Sequence, residues 1–147
     1  MDPTLDQLLA EVSEFERQCR PPGAVPLEVS ALYDLYPGEP MSHPHRIIGG
    51  WPESWPNTGR AGVYVIICRD LTVAYIGKAE MGNTVGRRLD TYFRSGQPCV
   101  AVKSGWTRPL RYVMTIAVPD PRSGEAPALE QHLLNTVGSW DNTTHNP

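Results

Sequence analysis

Two apolar runs in the middle of the chain decide the fold: Gly62-Val-Tyr-Val-Ile-Ile-Cys68 and Leu71-Thr-Val-Ala-Tyr-Ile76. Both runs have the length of a strand, and both are rich in the β-branched and aromatic residues that favour strands. Arg69-Asp70 stands between them and suits a tight reversal of the chain. The sequence therefore predicts an antiparallel hairpin over residues 62–76.

Three further elements are predicted after the hairpin: a helix over 87–94, a strand over 110–118 and a helix over about 124–136. Leu89 and Phe93 lie four residues apart and mark the apolar side of the first helix. Ser123 has the side chain of an N-cap for the last one. The order β-β-α-β-α predicts an α+β (α/β) fold over residues 60–147, with a small three-stranded antiparallel or mixed sheet flanked by helices.

Residues 1–59 have a different character. Helical spacing and a possible capping box (Thr4 and Gln7) predict a helix over 4–19, with apolar positions at Leu5, Leu8, Leu9, Val12 and Phe15. A weaker helical pattern follows at Val29, Leu32, Tyr33 and Tyr36. The remainder is rich in Pro, Gly, Ser and Trp and is predicted to be irregular. We expect an acidic, partly helical accessory region over 1–59.

Charge is distributed unevenly along the chain. The net charge is −3, but residues 60–112 carry nine basic and three acidic side chains, a net of +6. Residues 1–59 carry nine acidic and three basic side chains, a net of −6. The central segment suits contact with phosphates, although a solvated basic face would give the same count.

Composition argues against several classes of protein. At 40% hydrophobic and 20% charged residues, the sequence resembles an ordinary globular domain and has no apolar run of about 18 residues that would span a membrane. The opening Met1-Asp2-Pro3-Thr4 does not resemble a signal peptide. The cysteines are three in number and widely spaced, which does not suit a disulfide framework. We expect a cytoplasmic protein, with delivery into another cell as a toxin left open.

The hairpin also resembles a known nuclease family. Gly62-Val63-Tyr64 and Tyr75-Ile76-Gly77 are similar to the two signature tripeptides of GIY-YIG nucleases, and Lys78-Ala79 extends the second as in the nuclease module of the bacterial excision-repair incision enzyme. Three later pieces are similar to the family's short basic helix, its glutamate-bearing helix and its closing asparagine: Arg88-Leu89-x-x-Tyr92-Phe93, Ala128-Leu129-Glu130-x-x-Leu133-Leu134 and Asn142. The five pieces occur in the family's order between residue 60 and about residue 146.

This resemblance implies a metal-dependent endonuclease that hydrolyses phosphodiester bonds. Glu130 would hold one Mg²⁺ or Mn²⁺ ion, which usually keeps several waters and also contacts the phosphate. Arg88 would bind two phosphate oxygens with its guanidinium. Tyr64 would position or deprotonate the attacking water. Because the ordinary pKa of tyrosine is about 10, deprotonation would require Arg88, Lys78 or the metal to lower it.

The resemblance assigns supporting roles to other residues. Tyr75 would share the water and phosphate network, and Lys78 would add positive charge beside it. Tyr92 would orient the nucleophile or simply pack, and Asn142 would hold the C-terminal segment or a substrate oxygen. Glu80 adds an acid near Lys78 that either weakens phosphate attraction or supplies a supporting contact. Further contacts to nucleic acid are expected from Arg87, Arg88, Arg94 and Lys103.

Several alternatives stay open. DNA is the preferred substrate, but the predicted site contacts phosphate and metal, so RNA is not excluded. A binding module without catalysis is a second reading, although Arg88 and Glu130 are both present. Roles in repair, restriction, phage defence or toxin action are not distinguished. Residues 1–59 could mediate homo-oligomer formation, bind an inhibitory or recognition partner, or shield the basic segment.

Two other patterns have both a functional and a structural reading. Trp51-Pro52 and Trp55-Pro56 could stack on a base, but capping a small core is the preferred interpretation. His43 and His45 with Cys19 lack a fourth ligand, so structural zinc is not expected.

Overall fold

The structure is a computed structural model that describes residues 2–80, 82–94, 100–101, 104–119 and 122–145. The helices are α1 (Leu5–Cys19), α2 (Val85–Leu89), α3 (Glu125–Thr136) and α4 (Asn142–His145). The strands are β1 (Glu28–Val29), β2 (Leu32–Asp34), β3 (Ile47–Gly50), β4 (Gly62–Cys68), β5 (Val73–Ala79), β6 (Phe93–Arg94), β7 (Val100–Ala101) and β8 (Leu110–Ala117). None of these helices combines the length and the apolar character needed to cross a membrane.

Six strands form one mixed sheet around β8. On one side of β8, β4 pairs antiparallel with it and then with β5. On the other side, β1 and β2 both pair antiparallel with β8, and β2 continues to β3 in parallel. The hairpin and the third strand of the sequence prediction are present as β4, β5 and β8. The prediction of a three-stranded sheet is wrong, because residues 28–50 add three strands.

The helical pattern around residues 29–36 does not correspond to a helix. Val29 pairs with Ile116 and Tyr33 pairs with Val113, so this segment lies along β8. Strands of two and three residues are too short to show an apolar-polar alternation, and their apolar residues matched helical spacing instead.

Other element boundaries also differ from the prediction. The helix expected over 87–94 begins earlier, because Thr84 accepts a hydrogen bond from the Arg87 amide, and it ends at Leu89. Its expected last turn is replaced by Phe93–Arg94, which pairs with β7 in a separate two-stranded sheet. Ser123 is not the N-cap of α3: Gly124 holds that position without a side-chain bond. Neither β6, β7 nor α4 was predicted.

Both faces of the central sheet are covered, and the alternation along β4 shows how they differ. Val63, Val65 and Ile67 lie in an aliphatic core beneath α1 and α3, which we call the aliphatic face. Tyr64, Ile66 and Cys68 point to the other side. There they join a second core rich in aromatic rings, which we call the tyrosine face.

Helix α1 is part of the aliphatic core. Its buried residues are those that the spacing predicted, Leu5, Leu8, Val12 and Phe15, while Leu9 is partly buried. Thr4 caps the helix by accepting a hydrogen bond from the Gln7 amide at 3.2 Å. Only this half of the predicted capping box forms, since the Gln7 side chain donates to the Thr136 carbonyl instead.

Candidate active site

The glycines of the hairpin make room for the first tyrosine. In the β4–β5 register, Tyr64 stands opposite Gly77. A Cβ atom at Gly77 would lie 2.2 Å from Cζ of Tyr64, which is closer than non-bonded carbon atoms approach each other in proteins. Gly62 is equally constrained, because a Cβ there would lie 2.1 Å from the Ile116 carbonyl oxygen. Glycine at these positions therefore has a steric cause.

A cavity of about 340 Å³ opens beside Gly77, and we call it the Tyr64 pocket. It brings together five of the residues predicted to carry catalysis. The pocket is lined by Tyr64, Tyr75, Gly77, Lys78, Ala79, Glu80, Asn83, Arg88 and Glu130. Residues from the hairpin, the following loop, α2 and α3 thus meet at one place.

Two tyrosines that line the pocket, Tyr64 and Tyr75, pack against a third ring, Tyr92, which lies behind them. The Tyr64 and Tyr75 rings are stacked with centroids 6.1 Å apart, and Tyr92 lies 5.8 and 5.4 Å from them. The Tyr64 hydroxyl donates to the Tyr92 hydroxyl at 3.4 Å. Burial raises the pKa of all three phenols, that of Tyr92 to about 12. They are therefore neutral at neutral pH.

Two basic side chains that line the pocket, Arg88 and Lys78, have different interaction partners. Burial by itself would lower the pKa of Arg88, but interactions with the Tyr64 oxygen and with Tyr92 and Tyr75 raise it overall. Lys78 instead donates to Glu80 at 3.0 Å. Arg88 therefore presents its positive charge to the tyrosines, whereas the charge of Lys78 is partly neutralised.

Glu130 is a half-buried carboxylate in the same pocket. Burial raises its pKa and the neighbouring Glu80 adds to that effect, while Lys78 and Arg88 act in the opposite direction. Its helix buries Leu129 and Leu133 in the aliphatic core, so Glu130 sits at the margin of that core. A carboxylate in such a position is stabilised by any added positive charge.

The donor set suits a hard divalent cation bound mainly by water and phosphate. Glu130 and Glu80 offer carboxylate oxygens, the ligands that Mg²⁺ prefers. Among the described residues, no group of three or more His, Cys, Asp or Glu side chains could enclose an ion alone. Mg²⁺ typically binds through one or two carboxylates together with substrate phosphates. The residues present fit that pattern.

Asn142 and Tyr92 lie near the pocket but do not line it. The Asn142 side chain accepts from the Ile76 amide at 2.9 Å and donates to the Ile76 carbonyl at 2.8 Å. It thereby fixes the backbone immediately before Gly77. Tyr92 is fully buried behind the two pocket tyrosines. Asn142 thus contacts the backbone next to Gly77, and Tyr92 contacts the two tyrosines that line the pocket.

Much of the central basic segment is paired with acids from the N-terminal region. Arg111 forms two hydrogen bonds of 2.9 Å with Asp34, both side chains being buried. Further pairs join Arg60 to Glu28, Arg69 to Glu39 and Arg108 to Asp2. Arg87 is exposed on α2. The predicted contacts Arg94 and Lys103 fall outside the part of the chain whose side chains are described.

The tryptophan and histidine patterns have structural surroundings. Trp55 is buried, and its indole N–H donates to Asp90 at 2.8 Å, as expected of a core residue. His43 bonds to the Tyr112 hydroxyl, and His45 lies 3.4 Å from Asp6. Cys19 is a free, exposed thiol. These contacts give no zinc site among the described residues.

Sequence reasoning did not single out Asn83 as a pocket residue. Asn83 accepts from the Thr84 amide at 2.9 Å, directly before the N-cap of α2. The available signal was the dipeptide Asn83-Thr84 before an apolar position, which is typical of a helix start. A correct start for α2 would have placed Asn83 near Arg88.

In a comparison with protein families, the model of the GIY-YIG catalytic domain matches residues 60–144. The matched segment includes every residue that lines the Tyr64 pocket. Comparisons with curated proteins and with solved structures found no match.

Proposed function

The chain belongs to the GIY-YIG nuclease family, and from that premise we propose that it is a metal-dependent endonuclease that cuts phosphodiester bonds in DNA. The observation that carries this proposal is the meeting of Tyr64, Tyr75, Arg88 and Glu130 in one pocket. These residues come from four separate elements, so their convergence is not a consequence of sequence proximity.

Each pocket residue has a role that its surroundings support. Arg88 binds the non-bridging oxygens of the phosphate with its planar guanidinium. Glu130 would hold the divalent ion, Mg²⁺ or Mn²⁺, and the Glu80 carboxylate lines the same pocket. A bound ion supplies positive charge that stabilises the transition state of phosphate hydrolysis. The partly neutralised Lys78 adds a weaker positive charge at the rim.

Tyr64 orients the attacking water with its hydroxyl. Burial raises its pKa, although Arg88 acts in the opposite direction. Taking a proton from the water would therefore require the ion to lower that pKa further. The water oxygen bonds to phosphorus as the P–O bond to the sugar breaks; the water gives up one proton, the released sugar oxygen takes up one, and a phosphate monoester and a sugar hydroxyl remain.

The test is cleavage of supercoiled plasmid, single-stranded DNA and RNA by the full chain with Mg²⁺, Mn²⁺ or a chelator. We expect cleavage of DNA with either ion and none with the chelator. Glu130→Gln and Arg88→Ala should each lower the rate about a hundredfold or more, the scale seen when one transition-state contact is removed.

A matched control is available on α3. Gln131 neighbours Glu130 but is exposed, and its side chain bonds to Asn135. Gln131→Ala should keep the wild-type rate. The nuclease proposal would be overturned by a wild-type chain that cuts no substrate with either ion, or by Glu130→Gln and Arg88→Ala variants that cut as fast as wild type.

A further inference from the structure

A second groove lies next to Tyr92, and we call it the Trp106 groove. It has a volume of about 360 Å³ and is lined by Tyr36, Trp106, Thr107, Arg108, Pro109 and Leu110. The Trp106 ring lies 6.3 Å from the Tyr92 ring, which in turn lies 5.4 Å from Tyr75 in the Tyr64 pocket. One buried ring thus connects the groove to the candidate active site.

The wall of the groove is held in place by buried polar contacts. The Thr107 amide and hydroxyl both donate to the Asp141 carboxylate, at 3.2 and 2.6 Å, and Asp141 is buried. The Arg108 guanidinium lies 4.2 Å from the centre of the Trp140 ring. Asp141 directly precedes Asn142, the residue that fixes Ile76. Two adjacent residues, Asp141 and Asn142, therefore bond to the groove wall and to the hairpin beside the pocket, which helps to preorganise both sites.

The chemistry of the groove favours an aromatic ligand over an anion. Its two rings, Trp106 and Tyr36, are half-buried and so keep part of their surface accessible. The guanidiniums nearby already have partners: Arg108 bonds to Asp70 at 2.5 Å, and Arg69, which lies over the Tyr36 ring, pairs with Glu39 at 2.8 Å. Because these guanidiniums are already paired with carboxylates, they attract a phosphate or an acidic peptide less, and the accessible ring surface favours a ligand that stacks.

We propose that the Trp106 groove binds an unpaired base of the nucleic-acid substrate, close to the phosphate held in the Tyr64 pocket. This inference rests on the proposed nuclease function and narrows its substrate class. Bases stack on aromatic side chains only when they are free of the duplex. The enzyme therefore prefers single strands, or sites where a nucleotide beside the cut is unpaired.

The test compares two probes that carry the same phosphates. An oligothymidylate of about twelve nucleotides and an abasic oligomer of equal length fit the range of known single-strand sites. Affinity of the full chain for each is measured by fluorescence anisotropy in the presence of a chelator, so that no cutting occurs. Wild type should bind the oligothymidylate about tenfold more tightly, as expected for a stacked base.

Substitutions then locate the base. Trp106→Ala should remove most of that preference and Trp106→Phe should retain most of it. Because the preference is a ratio within one protein sample, a partly unfolded variant lowers both affinities and leaves the ratio interpretable. The inference is overturned if wild type shows no preference, if Trp106→Ala keeps the full preference, or if Trp51→Ala abolishes it instead.

The two proposals fail separately. If wild type cleaves plasmid and Trp106→Ala keeps the wild-type ratio of affinities for the oligothymidylate and the abasic oligomer, the base-binding site is overturned and the nuclease proposal stands. An absence of any cleavage together with a ratio that depends on Trp106 would overturn the nuclease proposal and support the groove as a base-binding site.

Discussion

The two faces of the central sheet are built on the same strands but from different kinds of side chain. On the aliphatic face, β4 contributes Val63, Val65 and Ile67 to a core that is covered by α1 and α3. On the tyrosine face, the intervening Tyr64 packs among aromatic rings, and its hydroxyl bonds to Tyr92. A single run of seven residues therefore serves stability on one side and the candidate site on the other.

The difference has an energetic consequence. Burying a valine or isoleucine side chain removes apolar surface from water at no polar cost. Burying a phenol also takes its hydroxyl out of water, so the hydroxyl must find a partner and its ionised form becomes unfavourable. The raised pKa values of Tyr64, Tyr75 and Tyr92 result mainly from this burial of the hydroxyl. We expect substitutions on the two faces to separate stability from activity.

The largest loss of stability is expected on the aliphatic face. Leu8 of α1 is fully buried, so Leu8→Ala should lower the free energy of unfolding by about 2–5 kcal/mol. Activity per folded molecule should stay unchanged, because α1 contributes nothing to the Tyr64 pocket. Denaturant unfolding and a cleavage assay on the same sample measure the two effects. Ser13→Ala, at an exposed position of α1, is the control.

If Leu8→Ala lowered the free energy of unfolding no more than Ser13→Ala does, the placement of α1 in the core would be wrong. That result would indicate that α1 is a loosely attached layer.

A smaller loss of stability and a larger loss of activity are expected on the tyrosine face. Gly77→Ala would place its Cβ 2.2 Å from the Tyr64 ring, and such overpacking costs about 1–3 kcal/mol. The ring must move, so the cleavage rate should fall about a hundredfold, as when a catalytic group is misplaced by about 1 Å. Gly59→Ala, where a Cβ meets no atom within 4 Å, is the control.

The clash itself can be tested with a double-mutant cycle. Removing the ring with Tyr64→Ala should abolish the destabilisation caused by Gly77→Ala. Additive losses in the double variant would show that the ring and the glycine do not compete for space.

Sequence reasoning identified the parts of the fold that carry a long periodic signal. Helix α1 and the strands β4, β5 and β8 each have five or more patterned residues, enough to distinguish helix from strand. β1, β2 and β3 were missed because strands of two to four residues take their conformation from the strand they pair with.

The meeting of Tyr64, Arg88 and Glu130 in one pocket was expected from a family resemblance and not from spacing. Tyr64 and Glu130 are far apart in the sequence, and no local pattern brings them together. The ion pair between Arg111 and Asp34 was equally invisible, since each residue alone looks like part of a charged surface. The net charge of +6 over residues 60–112 therefore overstated the free positive charge, because four of those arginines pair with acids of the N-terminal region.

The smallest effect is expected where the aliphatic face meets solvent. Arg20, just after α1, donates to Glu125 in the first turn of α3 at 2.7 and 3.0 Å. These hydrogen bonds lower the pKa of the Glu125 carboxyl in the folded protein below its ordinary 4.5. The pair therefore stabilises the fold above that pH, and the stabilisation is lost as the pH falls through the lower, folded pKa.

Glu125→Gln should accordingly lower the free energy of unfolding by about 1 kcal/mol at pH 7 and by progressively less below about pH 4.5. Thermal unfolding across that range measures the difference. Glu14→Gln, which breaks the exposed pair with Arg17 within α1, should change little at any pH. If Glu125→Gln lowered the free energy of unfolding by the same amount at every pH, Glu125 would contribute through packing and not through its charge. The two helices would then be joined on the aliphatic face by apolar contacts alone.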